Sequence, residues 1–148
     1  QPTNSRFLPY VIETSVGADR TTLAVLVNAY REEQVQGEDE GRTVLGLHPS
    51  IAPIKAGIFP LVKKDGMPEM AKKISGELRK RFPVFYDDSG AIGRRYRRQD
   101  EIGTPFCITV DGESLTNGTV TVRFRDTLVQ DRVDATQLGD FITNKLIT

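Results

Sequence analysis

Residues 92–105 read IGRRYRRQDEIGTP, and the rest of the chain reads most simply as their support. Four arginines fall within five positions and are followed at once by Asp100 and Glu101. With about 3.6 residues per turn, Arg94, Arg97, Arg98 and Glu101 share one helical face. Ile92, Tyr96 and Gln99 lie on the other, with Ile102 and the stem of Arg95 at its edge. Ser89 or Asp88 can cap the first turn, Gly103 can end the helix, and Thr104-Pro105 begins an extended segment. A guanidinium face of this kind suits phosphate backbones and bases, because arginine donates in a rigid fork and also stacks. It equally suits a solvated charged face held by internal pairs, Arg97 with Glu101 for instance. The cluster alone does not decide between them.

On either side of this helix the sequence is apolar. Residues 84–86 and 106–110 (FCITV) read as strands, so the helix is a crossover between them. Upstream, residues 54–62 form a near-continuous apolar run, the pattern of a strand buried on both faces. Residues 68–82 read as a helix, with Pro68 in its first turn and Met70, Ile74, Leu78 and the stem of Arg81 on one side; Lys72, Lys73, Arg79 and Lys80 face water. Downstream, residues 111–117 read as a turn. Residues 119–125 alternate as a half-buried strand, with Val120, Val122 and Phe124 in and Thr121, Arg123 and Arg125 out. Leu128-Val129 is expected as a last edge strand, and residues 135–147 as a closing helix with Leu138, Phe141, Ile142 and Leu146 inward. The sum is an α/β layer, a mixed sheet of about five strands flanked by about three helices.

Before this unit, residues 7–14 (FLPYVIET) are rich in β-branched and aromatic residues and predict a strand. Asp19 can cap a helix over residues 20–31, striped with Leu23, Leu26, Val27 and Tyr30. Residues 32–42 (EEQVQGEDEGR) read as an acidic, mobile loop or linker, and residues 43–47 as a short strand.

Composition bounds the function. At 148 residues the chain is one ordinary domain with room for a small appendage. Its zero formal charge hides an asymmetry: residues 1–52 carry 4 basic and 7 acidic side chains, residues 53–148 carry 16 and 13. Any contact with a polyanion must therefore be local. Cys107, the only cysteine, lies in an apolar strand and reads as a buried, inert thiol; His48 is the only histidine, which argues against a metal site or catalytic triad. No membrane span or signal peptide appears, so a cytoplasmic location is expected. A chain starting at Gln1 is expected to be a piece of something longer.

Several stretches resemble a known family. VIETSVGADR (residues 11–20), followed by an apolar helix, resembles motif 3 of class II aminoacyl-tRNA synthetases, and residues 92–105 with Asp87-Asp88 resemble the core of the class IIa anticodon-binding domain. The stretches HPSIAPIKAGIFPLVKKD and YDDSGAIGRRYRRQDEIGTPFCITVD, with TVTVRFRDT, resemble glycyl-tRNA synthetases of the dimeric type over nearly the whole chain. The resemblance implies a class IIa anticodon-binding fold over residues 48–148. It makes residues 1–47 the end of a catalytic domain with an acidic linker. It further implies a parent enzyme that attaches glycine to its tRNA with ATP and Mg2+, working as a homodimer away from membranes. Motifs 1 and 2 do not precede motif 3 here, so the fragment alone holds no catalytic residue and is expected to be inactive.

The same resemblance implies roles for single residues. Arg20 matches the motif 3 arginine that holds the γ-phosphate of ATP; the plainer alternative is a salt bridge with Asp19 or Glu13. Glu13 and Ser15 match a segment beside the glycine pocket, although Thr14 stands where that segment has proline. Anticodon contacts carried over from related threonine enzymes fall on Arg97, on Arg123, and on Glu113 or Ser114. Arg94, Arg95 and Arg98 are expected to bind phosphate or the neighbouring carboxylates. A competing expectation is a non-catalytic nucleic-acid-binding module, since similar domains occur in an accessory subunit of mitochondrial DNA polymerase.

Overall fold

The computed structural model describes residues 6, 8–34 and 41–147, apart from the side chain of residue 147. The chain runs α1 (Ala18–Ala29), β1 (Tyr30–Glu33), β2 (Arg42–Leu45), β3 (Ala56–Pro60), α2 (Met67–Leu78) and β4 (Val84–Tyr86). It continues α3 (Ile92–Ile102), β5 (Phe106–Val110), α4 (Gly112–Asn117), β6 (Thr119–Phe124), β7 (Gln130–Asp134) and α5 (Leu138–Ile147). Five strands form one sheet in the order β4-β3-β5-β6-β7; β3 is parallel to β4 and β5, while β6 and β7 are antiparallel. The expected mixed five-stranded α/β layer is therefore present.

Its two faces are covered differently. On one, Ile58, Ile108, Val110, Val120 and Val122 pack with Ala71, Ile74 and Leu78 of α2 and Leu138 and Ile142 of α5 as one apolar core. On the other lies α3. Gly57 permits its approach: a Cβ there would stand 2.7 Å from the Phe59 ring and 3.1 Å from Gln99 Cγ. With both faces covered, every residue of β3 and β5 is buried, as their continuous apolar runs imply.

Several expectations are corrected. Residues 8–14 form no strand, and Leu8 and Ile12 are 94% and 96% exposed. β-propensity marks residues that suit a sheet, but among the described residues no partner strand lies beside them; Phe7 falls outside the described residues. The first helix is Ala18–Ala29, with Gly17 as N-cap and Asp19 in the first turn instead of at the cap. The ends of the expected linker are strand: residues 30–33 and 42–45 pair antiparallel as the two strands of a hairpin, Tyr30 with Leu45 and Glu33 with Arg42. Two of the charges that suggest a linker are cross-strand partners, Arg42 donating to Glu33. Residues 35–40 lie outside the description.

At α3 the N-cap is Ala91, without a side-chain cap, because Asp87 and Ser89 bind each other. Gly103 ends the helix as expected. Residues 112–117 form the short helix α4 where a turn is expected, because Asp111 and Ser114 make a reciprocal capping box. Arg123 and Arg125 do not point to solvent: both are buried. The last strand is Gln130–Asp134, beyond Leu128-Val129; Leu128 occupies the turn with φ 61°.

Candidate nucleic-acid interface

Helix α3 crosses the sheet with polar residues as its main buried contacts. Arg95, Gln99 and Asp100 are its buried side chains. Arg95 Nη1 donates to Pro60 O, and its Nε and Nη2 donate to Gly90 O at 3.2 and 2.8 Å. The hydroxyls of Tyr96 and Thr109 are hydrogen-bonded at 2.7 Å, and the Tyr96 ring packs edge-on against Phe59. Arg123 lies over the ring of Tyr96, its guanidinium carbon 4.8 Å from the centroid.

Below this face sits a closed charge cluster. Asp100 is 0% exposed and accepts 2.9 Å bonds from Arg123 Nη1 and Nη2 and a 3.1 Å bond from Arg42 Nη1. Burial alone would lower the Arg123 pKa, but the hydrogen bonds and charge of Asp100 outweigh it and raise it. Arg98 pairs with Asp87 and donates to Ser89 O at 2.8 Å. Burial pushes the Asp87 carboxyl up, and the bonds from Ser89 and Arg98 overcome this and hold it below the ordinary range.

The structure thus sorts the sequence-derived candidates. Arg94 and Arg98 are exposed and Arg97 is half-buried, all on the outer side of α3, whereas Arg95 is a buried clamp. Arg123 is 6% exposed and engaged with Asp100. Of the pair left open, Ser114 is buried in the α4 cap, its N–H donating to Asp111 Oδ1 at 2.9 Å, while Glu113 is exposed and lies 3.3 Å from Arg132. Glu13 and Ser15 lie in the exposed irregular segment, and Arg20 in the exposed first turn of α1. Burial pushes the Cys107 thiol up to about 12, so it is inert. Among the described residues no group of three or more His, Cys, Asp and Glu is placed to hold a metal ion.

Arg132 is a member that the sequence reading missed. Its guanidinium binds Asp111 at 2.6 and 2.9 Å, and it also donates to Thr119 and Thr121. Thr109 pairs with Thr121 and Thr121 with Arg132 across β5, β6 and β7. Paired residues share a sheet face, so a polar strip runs from Tyr96 through Thr109, Thr121 and Arg132 to Asp111 and Glu113. The available signal was an arginine inside an alternating charged segment, QDRVD, which reads equally as loop.

The Arg132 bonds hold the Asp111 carboxyl down to about 2. An ordinary aspartate titrates near about 3.9, so the stabilisation is fully present above that value and is lost as pH falls through about 2. The stability gap between the wild-type chain and Asp111→Asn, read by urea unfolding, should therefore close as pH is lowered across that window. A constant gap would contradict the pairing.

The molecule is an α/β domain with a mixed sheet that presents an arginine-bearing helix and a polar strip on one face. The chain belongs to the anticodon binding domain family, whose model matches residues 55–145. It is similar to the glycine–tRNA ligase of Rhodopirellula baltica, 61% identical over 134 residues, which covers 88% of this chain and 25% of that protein. The glycine–tRNA ligases of Chlorobaculum tepidum (52% identical over 147 residues; 99% of this chain, 31% of that one) and Clostridium kluyveri (56% over 144 residues; 97% and 30%) are also similar. The chain spans a quarter to a third of the length of these curated relatives. No described helix is long and apolar enough to cross a membrane.

Proposed function

We propose that this chain recognises the anticodon of a glycine tRNA within a cytoplasmic, homodimeric glycine–tRNA ligase. The observation that carries this reading is the extent of the similarity. Proteins named glycine–tRNA ligase match the hairpin and α1 as well as the anticodon binding domain. In this reading residues 48–148 bind tRNA, and residues 1–47 belong to a catalytic unit that uses ATP and glycine. The exposed apolar side chains of Tyr10, Ile12, Leu23 and Val27 are consistent with a surface covered by the rest of that unit. Arg20, a cation in the first turn of α1, fits a role on a phosphate of ATP, where the helix dipole adds to its charge, with Glu13 and Ser15 near the glycine. In this reading Mg2+ accompanies ATP in the parent enzyme, held by the phosphates with one or two carboxylates.

On the tRNA side, Arg97 and Glu113 are the base-contacting groups, because an arginine fork and an exposed carboxylate can each read a base edge in a single-stranded loop. Arg123 and Ser114 act behind them, through Asp100 and the α4 cap. Arg94 and Arg98 contact phosphates. The test is binding of a glycine tRNA and an anticodon-substituted tRNA by Arg97→Ala, Glu113→Ala and Lys73→Ala chains. Arg97→Ala and Glu113→Ala should each remove about 1–3 kcal/mol of the preference. Lys73→Ala, on the exposed side of α2, should leave the preference intact. Equal losses on both tRNAs for Arg97→Ala would refute its assignment as a reader.

A further inference from the structure

We infer that Arg42, in the hairpin, is a specificity-determining positioning residue for the anticodon surface and acts through Asp100. This rests on the reading that α3 contacts the anticodon. No residue of α3 belongs to either apolar core cluster, whose members come from the other elements. What fixes α3 is a set of directional contacts: Arg95 to Pro60 O, Tyr96 to Thr109, and above all Asp100. Apolar packing is non-directional, whereas a carboxylate held by three charge-assisted bonds sets a position and a rotation.

Asp100 is gripped from two sides. Arg123 holds it from β6 with two bonds, and Arg42, 3% exposed, holds it from β2. Arg42 is itself fixed by Glu33 across the hairpin, so the two arginines and two carboxylates balance. A second clamp lies one turn further along: Arg125 donates to Gly103 O at the end of α3, to Leu45 O at the end of β2, and to Leu47 O just beyond it. Arg97 stands three residues before Asp100, next to it along the helix surface on the flank between the buried and outer sides of α3. The hairpin, which continues from α1 without a break, therefore sets where Arg97 stands. Removing Arg42 leaves Asp100 both bonds from Arg123 and leaves the Arg125 clamp, so the chain should stay folded while Asp100 loses its direct bond to β2.

The experiment compares affinities for a glycine tRNA and the same tRNA with substituted anticodon bases, in the wild type, Arg42→Met, Arg42→Lys and Arg81→Met. Methionine keeps much of the volume without the charge, lysine restores the charge, and Arg81→Met breaks the exposed Arg81–Asp140 pair. The wild-type preference should fall about tenfold in Arg42→Met, the size of one lost base contact, and recover in part in Arg42→Lys. Arg81→Met should keep it. An unchanged preference in folded Arg42→Met, or an equal fall in Arg81→Met, would overturn the inference. A second measurement needs no variant: saturating glycine tRNA should slow amide exchange across Arg42–Leu45 together with α3, and unchanged exchange in the hairpin would also overturn it. A wild-type chain that shows no preference between the tRNAs would instead sink the functional reading, and the inference with it.

Discussion

Asp100→Ala is expected to destabilise the chain by about 3–5 kcal/mol, the cost of stripping the partner from a buried ion cluster. The side chains of Arg42 and Arg123 are almost wholly buried, and with Asp100 gone both guanidiniums face a low-dielectric interior. Arg42 retains Glu33, whereas Arg123 loses its carboxylate partner and keeps the face of Tyr96. The asymmetry is informative: Arg42→Met removes one cation and leaves the carboxylate doubly bonded, so it should cost far less than Asp100→Ala. Urea unfolding of both variants measures this. Losses of similar size, or a loss below about 1 kcal/mol for Asp100→Ala, would mean that the cluster is solvated and behaves as a surface pair.

Gly103→Ala is the second large effect. Gly103 ends α3 at φ 84°, a left-handed backbone that costs a side-chain-bearing residue about 1–3 kcal/mol. A Cβ there would also lie 2.8 Å from Leu45 O, and that carbonyl is held in place as an acceptor of Arg125 Nη1. Gly118 supplies the comparison. It too is left-handed, at φ 73°, but no atom stands within 4 Å of a Cβ built on it. Thermal or urea unfolding should therefore show Gly103→Ala to be the more damaging substitution, the difference measuring how rigidly the hairpin sits on α3. Equal losses would mean that the hairpin moves aside freely.

The layer itself was legible, because residues 56–60 and 106–110 are continuous apolar runs and α2 carries a clean helical stripe. What stayed hidden was mostly polar. Alternation in β6 separates two faces but does not say that α3 covers the second, so Arg123 and Arg125 read as outward although Asp100 and the hairpin carbonyls bury them. β7 is an edge strand, and edge strands carry charge, so QDRVD lacks the apolar alternation that would mark it. The same holds for β1, whose glutamates suggest a linker although Arg42 lies opposite Glu33. Asp111 and Ser114 offered a capping box, but one apolar residue, Leu115, is too little to mark a helix. Residues 8–14 err the other way: strand-forming side chains do not make a strand without a neighbouring edge. At the site, Glu113 is exposed and Arg97 half-buried, and the support given by Arg42, Asp100 and Arg132 depends on long-range pairing that no spacing reveals.

The central claim, that the face carrying α3 and the polar strip reads an anticodon, is tested most directly by equilibrium binding of the wild-type chain to anticodon stem-loops. One stem-loop carries a glycine anticodon, and the others carry single substitutions at each anticodon base. The account predicts tighter binding of the glycine stem-loop, with at least one substitution costing about 1–3 kcal/mol and the preference surviving an increase in salt that weakens all of them. Equal affinity for every stem-loop, falling in parallel with salt, would contradict it.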